Sequence, residues 1–333
     1  MSVLVTGAAG FIGFHTSLRL LARGDAVVGV DNLNSYYDPR LKHARLARLR
    51  EHPGFTFVEA DIADRAAMSS VAQAHPDVTD YVNLAAQAGV RHSLKAPHDY
   101  THSNVEGHLV MLELARANRN CRHFVYASSS SVYGNNPKLP FAVEDPVDHP
   151  ISLYAATKKS CELMSHCYSH LYGIPTTGLR FFTVYGPWGR PDMAAYLFAS
   201  AIEAGQPIKV FNHGDMRRDF TYVDDIVAGV VGVLDNPPPR SEGVPPYRVY
   251  NIGNSRSEAL LDFIGLIEQS LGKKAEYQLL PMEPGDIKET YADISAIQRD
   301  IGFAPTTPIS VGIPRFIAWF KAYHAELEAV PAT

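Results

Sequence analysis

The chain has 333 residues, 46% of them hydrophobic and 20% charged, which suits one large domain or a domain with a smaller lobe. Its formal net charge of −5 gives no electrostatic reason to expect binding to nucleic acid or to an anionic membrane surface. No apolar run approaches the ~20 residues that a membrane-spanning helix needs.

The cysteines and histidines favour an intracellular protein without a metal. Cys121, Cys161 and Cys167 have neither a disulfide pattern nor metal-ligand spacing, which indicates a reducing cytoplasm. The opening MSVLVTGAAGFIG lacks the basic region and cleavage site of a signal peptide. The 14 histidines are scattered. We expect no His-x-x-x-His pair that would put two ligands on one helical face beside an acid, and therefore no metal site.

Short apolar runs alternate with amphipathic stretches through the first half of the chain. The predicted buried parallel strands are SVLVTG, AVVGVD, FTFVEAD, YVNLAA, HFVYASSS and TTGLRFF. Helices are predicted at residues 11–23, 38–50, 65–74 and 104–118. This alternation predicts an α/β fold, a Rossmann-type doubly wound parallel sheet with right-handed crossovers.

Beyond about residue 184 the pattern becomes irregular, with Gly and Pro at GPWGRP, NPPP and VPP. We therefore expect a dinucleotide-binding domain over residues 1–183 and a smaller, discontinuous substrate lobe over residues 184–333. Residues 222–236, in and just after DFTYVDDIVAGVVGVL, are expected to return the chain to the first domain.

The stretch TGAAGFIG follows the first strand and opens the first helix. Gly7, Gly10 and Gly13 let the backbone turn tightly, approach a pyrophosphate and pack the helix on the sheet. The helix N-terminus, at Phe11 and Ile12, offers unsatisfied N–H groups to phosphates. The alternative is a glycine loop that only caps the helix.

Asp31 ends the second strand, 18 residues after Gly13. An acid there accepts both ribose hydroxyls and repels a 2′-phosphate, and no arginine follows immediately, so NAD is favoured over NADP. The other residues expected to line the cofactor are Asn32, Asp61, Ile62, Leu84, Ala85 and Ala86.

Tyr154 and Lys158 lie one turn apart on a predicted helix. A lysine ammonium near a phenol favours the phenolate and so prepares the tyrosine for proton abstraction. ASSSSVYG, at residues 127–134, puts four hydroxyls at the carboxyl end of the fifth strand, where such sheets bind ligands. One of them is expected to contact the reacting hydroxyl, and the alternative for the others is a role in turns and caps.

Together, TGAAGFIG, Asp31, NLAA, SSSSVYG, Tyr-x-x-x-Lys and LRFFTVYGP resemble the extended short-chain dehydrogenase/reductases, in their sugar-nucleotide epimerase branch. The resemblance covers essentially the whole chain. It implies Ser129 as the catalytic hydroxyl, Tyr154 as the base, Lys158 as its partner, and Asn104 on a helix beneath the site.

Three stretches, DNLNSYYD, AAQAGVRHS and FFTVYGPWGRPDMA, look more specifically like UDP-glucuronate 4-epimerases. Thr183 stands where many family members have asparagine, and Arg190 follows seven residues later. A charge-assisted arginine contact suits the carboxylate of a hexuronic acid, with the hydroxyls of Thr183, Ser130 and Ser131 beside it. Alternatively, Arg190 braces its own loop or neutralises the diphosphate.

The resemblance also implies a site for the UDP group. Arg218 matches the diphosphate-binding arginine, and the segment with Lys209 and Phe211 matches the uracil site. PMEPGD lacks the family's second diphosphate arginine, so Asp286 is only a weak candidate. Arg91 either lies near the sugar or closes a loop.

The expected reaction is NAD-dependent 4-epimerisation of UDP-glucuronate to UDP-galacturonate, in a cytoplasmic homodimer formed through residues 104–118 and 154–172. The alternatives are a UDP-glucuronate decarboxylase, then an epimerase of neutral UDP-hexoses, and, in another class, an inactive NAD-sensing regulator. A 4,6-dehydratase is disfavoured, since that branch has an Asp-Glu pair at Ser130–Ser131.

Overall fold

The computed structural model describes residues 1–282 and 287–329. The strands are β1 Ser2–Thr6, β2 Ala26–Asp31, β3 Phe55–Glu59, β4 Asp80–Asn83, β5 His123–Ser129, β6 Thr176–Phe181, β7 Thr183–Tyr185, β8 Ile208–Val210, β9 Arg217–Arg218, β10 Phe220–Tyr222, β11 Tyr247–Ile252, β12 Glu258–Ala259 and β13 Tyr277–Leu279. The helices are α1 Phe11–Ala22, α2 Pro39–Arg50, α3 Arg65–Ala74, α4 Pro97–Tyr100, α5 Gly107–Ala117, α6 Leu153–Tyr172, α7 Ala194–Glu203, α8 Val223–Asp235, α9 Leu260–Leu271, α10 Ser295–Ile301 and α11 Ile309–Ala329.

Seven strands form one parallel sheet in the order β11-β6-β5-β4-β1-β2-β3. The strand order reverses between β1 and β4, which is the topological switch point where such sheets bind ligands. The predicted Rossmann-type fold is therefore confirmed. Sequence patterning did not predict β11, which pairs with β6 in this sheet although it lies within residues 184–333.

Helices cover both faces of this sheet. On one face α1, α2 and α8 pack in a core that includes Phe14, Leu46 and Ile226, and on the other α3, α5 and α6 pack around Met111 and Phe124. Helix α8 is the segment that was expected to return to the first domain, and it packs against α1.

A second core belongs to the C-terminal part of the chain. Phe220 and Phe263 stack there with ring centroids 3.8 Å apart, and Phe316 lies in the same cluster. Three two-stranded sheets, β7–β10, β8–β13 and β9–β12, border it. Because a single residue separates the end of β6 from the start of β7, the main sheet leads directly into this lobe.

The helix predicted from residue 104 begins earlier. Pro97 stands in its first turn, a position that suits proline, and a π-helical segment Thr101–Glu106 joins α4 to α5. Asn104 lies on this π-helical segment, a feature that recurs at functional sites. Within residues 1–282 and 287–329, no helix is long and apolar enough to span a bilayer.

Candidate active site

The glycine-rich loop between β1 and α1 has the shape that a pyrophosphate site requires. Gly7 has φ +69°, and a Cβ on Gly13 would lie 2.0 Å from the Gly7 carbonyl oxygen, so a side chain there is excluded. Helix α1 has no side-chain cap at Gly10 and no acid in its first turn. Its first N–H groups, including those of Phe11 and Ile12, are therefore available to an anion, and the loop fits a dinucleotide.

Asp31 lies at the end of β2, where the adenosine ribose of a dinucleotide would bind. Its carboxylate accepts hydrogen bonds from the backbone N–H groups of Ala9 (3.2 Å) and Leu33 (2.9 Å), and it is 7% exposed. The Lys42 ammonium is 3.6 Å from Asp31 and was not predicted to lie there. Held in this way, the carboxylate faces the edge of the sheet that also carries the glycine loop.

The remaining predicted cofactor residues follow β3 and β4. Asp61 accepts a hydrogen bond from Asn32 (3.0 Å), and Ile62 is buried. Burial opposes ionisation of Asp61, but the Ala63 N–H and Asn32 bonds lower its pKa below the ordinary value. After β4, a Cβ on Gly7 would lie 2.9 Å from the backbone nitrogen of Ala85, so Leu84–Ala86 pass close to the glycine loop.

The predicted catalytic side chains lie at the carboxyl end of β5 and the start of α6. The Ser129 hydroxyl donates to Ser131 (3.1 Å) and accepts from its backbone N–H. Lys158 is buried, donates to the Ala127 carbonyl (2.9 Å), and has its Nζ 6.0 Å from the Tyr154 ring centroid. In the part of the chain that the structure describes, the Tyr154 hydroxyl forms no hydrogen bond, so it can exchange a proton with a ligand.

A buried network fixes the serine segment from below. Ser128 donates to Glu162 (2.7 Å), which also accepts two hydrogen bonds from Arg180 on β6. Ser128 therefore faces the buried side of the sheet, where it supports the serine segment. Asn104 bonds Gln87 and donates to Thr157 on α6 (3.0 Å), which ties the loop after β4 to the catalytic helix.

Arg190 is held by its own loop. Its Nε donates to Asp192 Oδ1 (3.0 Å), its Nη2 donates to Oδ2, and 22% of its side chain is exposed. This ion pair is compatible with the bracing alternative for Arg190 and also with the contact to a substrate carboxylate. Only one edge of the guanidinium takes part, and Arg190 also lines a pocket with Thr183 and Phe11.

The three stretches that resemble UDP-glucuronate 4-epimerases converge near Tyr154. Tyr36, from DNLNSYYD, donates to Asp192 (3.2 Å), and its ring lies 4.8 Å from that of His92 in AAQAGVRHS. From there, Tyr100 contacts His92 (6.0 Å) and Tyr154 (6.0 Å) between ring centroids. Side chains 150 residues apart in sequence therefore form one wall.

Two cofactor-side residues anchor the Arg190 loop. Arg45, fully buried on α2, donates to the carbonyls of Ala9 in the glycine loop (2.8 Å) and Trp188 (2.6 Å). His15 on α1 donates to the Pro187 carbonyl (2.9 Å), and burial lowers its pKa to about 4, so the ring is neutral. The loop is thus attached to both helices that border the dinucleotide site.

The residues assigned to UDP lie mainly on the smaller lobe. Lys209 is exposed on β8, and Phe211 follows with the Arg91 guanidinium 4.2 Å from its ring centroid. Arg218, on β9, donates to the carbonyls of Arg217 (2.8 Å) and Lys288 (3.0 Å). Ser130 and Ser131 lie on the turn after β5. Asp286, the weak candidate, lies outside the described residues.

Comparison with known proteins assigns this site to a family. Residues 3–253 match the NAD dependent epimerase/dehydratase family. The chain belongs to that family. It is 46% identical to "UDP-glucuronate 4-epimerase 3" of Arabidopsis thaliana, over 97% of this chain and 77% of that protein, and 45% identical to a "Probable UDP-glucuronate 4-epimerase" of Rhizobium meliloti, over 96% and 97%.

A solved structure matches this member of the epimerase/dehydratase family over almost its whole length. It is the UDP-glucuronic acid 4-epimerase from Bacillus cereus in complex with UDP-glucuronic acid and NAD. The TM-score is 0.88 at 34% identity, and the match covers 97% of this chain and 100% of the other.

Two histidine pairs in this family member have the i, i+4 spacing that metal sites use, His98/His102 and His166/His170. The prediction that no His-x-x-x-His pair lies on one helical face was therefore wrong. The rings of His166 and His170 stack with centroids 6.4 Å apart. Over residues 1–282 and 287–329, no group of three or more His, Cys, Asp or Glu side chains could hold a metal ion.

Sequence reasoning missed several residues at this epimerase/dehydratase site. Tyr36 and Asp192 lie inside the quoted stretches, and an acid two residues after Arg190 was the available signal. Lys42 and Arg45 carried no signal, because they reach the site only through the packing of α2.

Proposed function

We propose that this protein is an NAD-dependent epimerase that interconverts UDP-glucuronate and UDP-galacturonate at sugar carbon 4. Curated relatives with this activity in their names are 45–46% identical over nearly the whole chain, and a matching structure contains UDP-glucuronic acid and NAD. The observation that carries the substrate assignment is that Arg190 lies in one wall with Tyr154. Its partner Asp192 accepts a hydrogen bond from Tyr36, and the rings of Tyr36, His92, Tyr100 and Tyr154 follow one another in contact.

In the first half of the reaction, Tyr154 accepts the proton of the 4-hydroxyl while Ser129 holds that oxygen by a hydrogen bond. NAD, when bound, takes the hydride from carbon 4 and later returns it, so no external oxidant is consumed. Lys158 is buried with its Nζ 6.0 Å from the Tyr154 ring centroid, and we assign it to place a positive charge beside Tyr154 and to bind the nicotinamide ribose.

Inversion requires the 4-keto sugar to present its other face before the hydride returns. The UDP group must stay attached meanwhile, and we assign this task to Arg218, Lys209 and Phe211, with Arg91 placed near the sugar. Tyr154 then returns its proton to the carbonyl oxygen as the hydride returns to carbon 4, which restores the 4-hydroxyl with the inverted configuration.

The carboxylate contacts have a second consequence. The 4-keto uronate is a β-keto acid, which loses carbon dioxide when the carboxylate aligns with the carbonyl. We assign Arg190, with Thr183, Ser130 and Ser131, to hold the carboxylate away from that alignment. The same contacts would discriminate a uronate from a neutral hexose.

We also propose separate roles for the two parts of the chain, an oligomeric state and a cellular location. Residues 1–183 with α8 and β11 would bind NAD, and the rest of residues 184–333 would bind the UDP-sugar. Exposed Leu163 and Leu171 on α6 support a homodimer through residues 104–118 and 154–172. Three free thiols support a cytoplasmic location.

The test is to incubate the purified protein with UDP-glucuronate, UDP-glucose and UDP-N-acetylglucosamine, without added NADH, and to identify the products. UDP-galacturonate from UDP-glucuronate is the expected result. A UDP-pentose would instead indicate a decarboxylase, and turnover of the neutral sugars alone would indicate a hexose epimerase.

A further inference from the structure

We propose that Asp192 is a positioning residue that stays paired with Arg190 while the substrate carboxylate binds and leaves the other edge of the guanidinium, so that the uronate can be released while the sugar turns. This inference rests on the proposed function, since it concerns how that site holds a hexuronic acid. Asp192 lies two residues from Arg190 in the same loop.

The pairing uses one edge of the Arg190 guanidinium. Nε and Nη2 donate to the two carboxylate oxygens of Asp192, which is the bidentate geometry that arginine forms with carboxylates. Nη1 takes no part in this pairing with Asp192. A second carboxylate can therefore approach the Nη1 edge while Asp192 stays bound.

Asp192 is fixed from its other side by Tyr36. The Tyr36 hydroxyl donates to Asp192 Oδ2 (3.2 Å). Burial, and then the charge of Asp192, raise the pKa of Tyr36 to about 12, so the phenol stays a neutral donor. Burial opposes ionisation of Asp192, but the Arg190 charge lowers the pKa of its carboxyl below the ordinary value. The pair is therefore an ion pair at neutral pH.

The loop does not need Asp192 to stay in place. Arg45 and His15 already bond the carbonyls of Trp188 and Pro187, and the Met193 N–H donates to the Arg190 carbonyl (3.2 Å). An additional ion pair inside the loop is thus redundant for the backbone. The ion pair with Asp192 instead orients the Arg190 side chain and neutralises its charge.

The charge arrangement suits a sugar that must turn. A guanidinium that bound only the substrate would lose its single partner whenever the carboxylate left, which is costly in a partly buried site. With Asp192 present, Arg190 stays paired throughout. The Asp192 charge also repels the substrate carboxylate, so binding is weaker and release is faster.

The experiment compares the wild type with Asp192→Asn and with Asp235→Asn as a matched control. Asp235 forms an ion pair with Arg23 (2.6 Å) near the amino end of β2, away from the site. For each protein we would measure the Kd of UDP-glucuronate and UDP-glucose, the kcat for epimerisation, and the steady-state absorbance of enzyme-bound reduced nicotinamide.

Asp192→Asn should bind UDP-glucuronate more tightly, by roughly threefold to tenfold, since one repulsive charge is removed from a partly exposed pair. Its kcat should fall and bound reduced nicotinamide should accumulate, because the keto sugar turns more slowly. UDP-glucose affinity should not change, and Asp235→Asn should match the wild type.

Weaker UDP-glucuronate binding with unchanged kcat would overturn the inference, because it would make Asp192 a simple support for Arg190. If Asp192→Asn does not fold, Tyr36→Phe replaces it. This variant should shift Kd and kcat in the same directions by a smaller factor, and the absence of any shift would overturn the inference.

If the wild type itself forms no UDP-galacturonate, it is the proposed function that has failed, so this outcome is distinct from a failure of the inference about Asp192.

Discussion

Tyr154 and Arg190 have separate tasks although one wall of aromatic side chains joins them. Tyr154 contacts Tyr100, which contacts His92 and then Tyr36, and Tyr36 bonds the partner of Arg190. We assign the proton transfer to Tyr154 and the recognition of the acid to Arg190. The two assignments can be tested independently.

Tyr154→Phe removes the proton acceptor and leaves the packing with Tyr100 in place. We expect kcat to fall at least ~100-fold, the usual contribution of a positioned acid or base. NAD content should stay at the wild-type level, measured by release of the cofactor from denatured protein. Full activity in this variant would remove Tyr154 from the mechanism.

Arg190→Lys keeps the charge and loses the forked geometry, whereas Arg190→Ala loses both. We expect kcat/KM for UDP-glucuronate to fall roughly tenfold in the first and ~100-fold or more in the second, as expected for a bidentate contact. Binding of UDP alone and NAD content serve as controls. Equal turnover of the uronate by Arg190→Ala would leave only the bracing role for this arginine.

At the scale of elements, β5, β6 and α6 are locked together under the serine segment by the buried ion pair of Glu162 and Arg180. Their side chains are 4% and 5% exposed, and Ser128 donates to the same carboxylate. Removing one partner leaves the other charge buried without a counter-ion. The network therefore stabilises the fold and the position of Ser129 together.

Glu162→Gln should reduce the free energy of unfolding by about 3 kcal/mol, because Arg180 keeps a buried charge. The matched control is Glu203→Gln, whose exposed pair with Lys273 should contribute about 0.5 kcal/mol or less. Urea denaturation of both variants measures the difference. Equal losses in the free energy of unfolding would show that the buried pair contributes no more to stability than the exposed pair.

The hydrophobic pattern alone was sufficient to predict the strands and helices that have long continuous apolar runs. All six predicted strands of the first half exist, and α3 has the predicted bounds. Strand β11 was missed because only its parallel pairing with distant β6 makes YRVYNI a strand. The elements of the smaller lobe, such as β8 and β13, pair across about 70 residues and leave little local signal.

In the candidate site, too, local features could be predicted from the sequence and long-range contacts could not. Motifs with fixed spacing predicted the glycine loop, Tyr154 and Lys158, because local backbone geometry brings those residues together. The Asp192–Tyr36 and Arg45–Trp188 contacts arise only when α2 packs beside the Arg190 loop. No spacing rule in a single sequence contains that information.

At the scale of the whole molecule, buried neutral histidines should make stability sensitive to acid. Burial lowers the pKa of His15, His108 and His123 to about 4, 3 and 4. His108 accepts from Asn83 and donates to Ser165, so a second proton would face a donor. The unfolded chain binds these protons first, near pH ~6.5.

The free energy of unfolding should therefore be largest above pH ~6.5 and fall as the pH drops towards ~4. Each histidine should contribute about 2 kcal/mol of this loss at pH 5. Urea denaturation at several pH values measures the slope, and His108→Gln should make it shallower. A stability that is constant between pH 7 and 5 would contradict this reading of the core.

The central claim is that the hydride leaves carbon 4 and returns to the same carbon. The most direct test is to convert UDP-glucuronate carrying deuterium at carbon 4 and to examine the UDP-galacturonate by NMR and mass spectrometry. We predict that the deuterium stays at carbon 4 of the inverted product, without added NADH. Loss of the label to solvent, or formation of a UDP-pentose, would contradict the account.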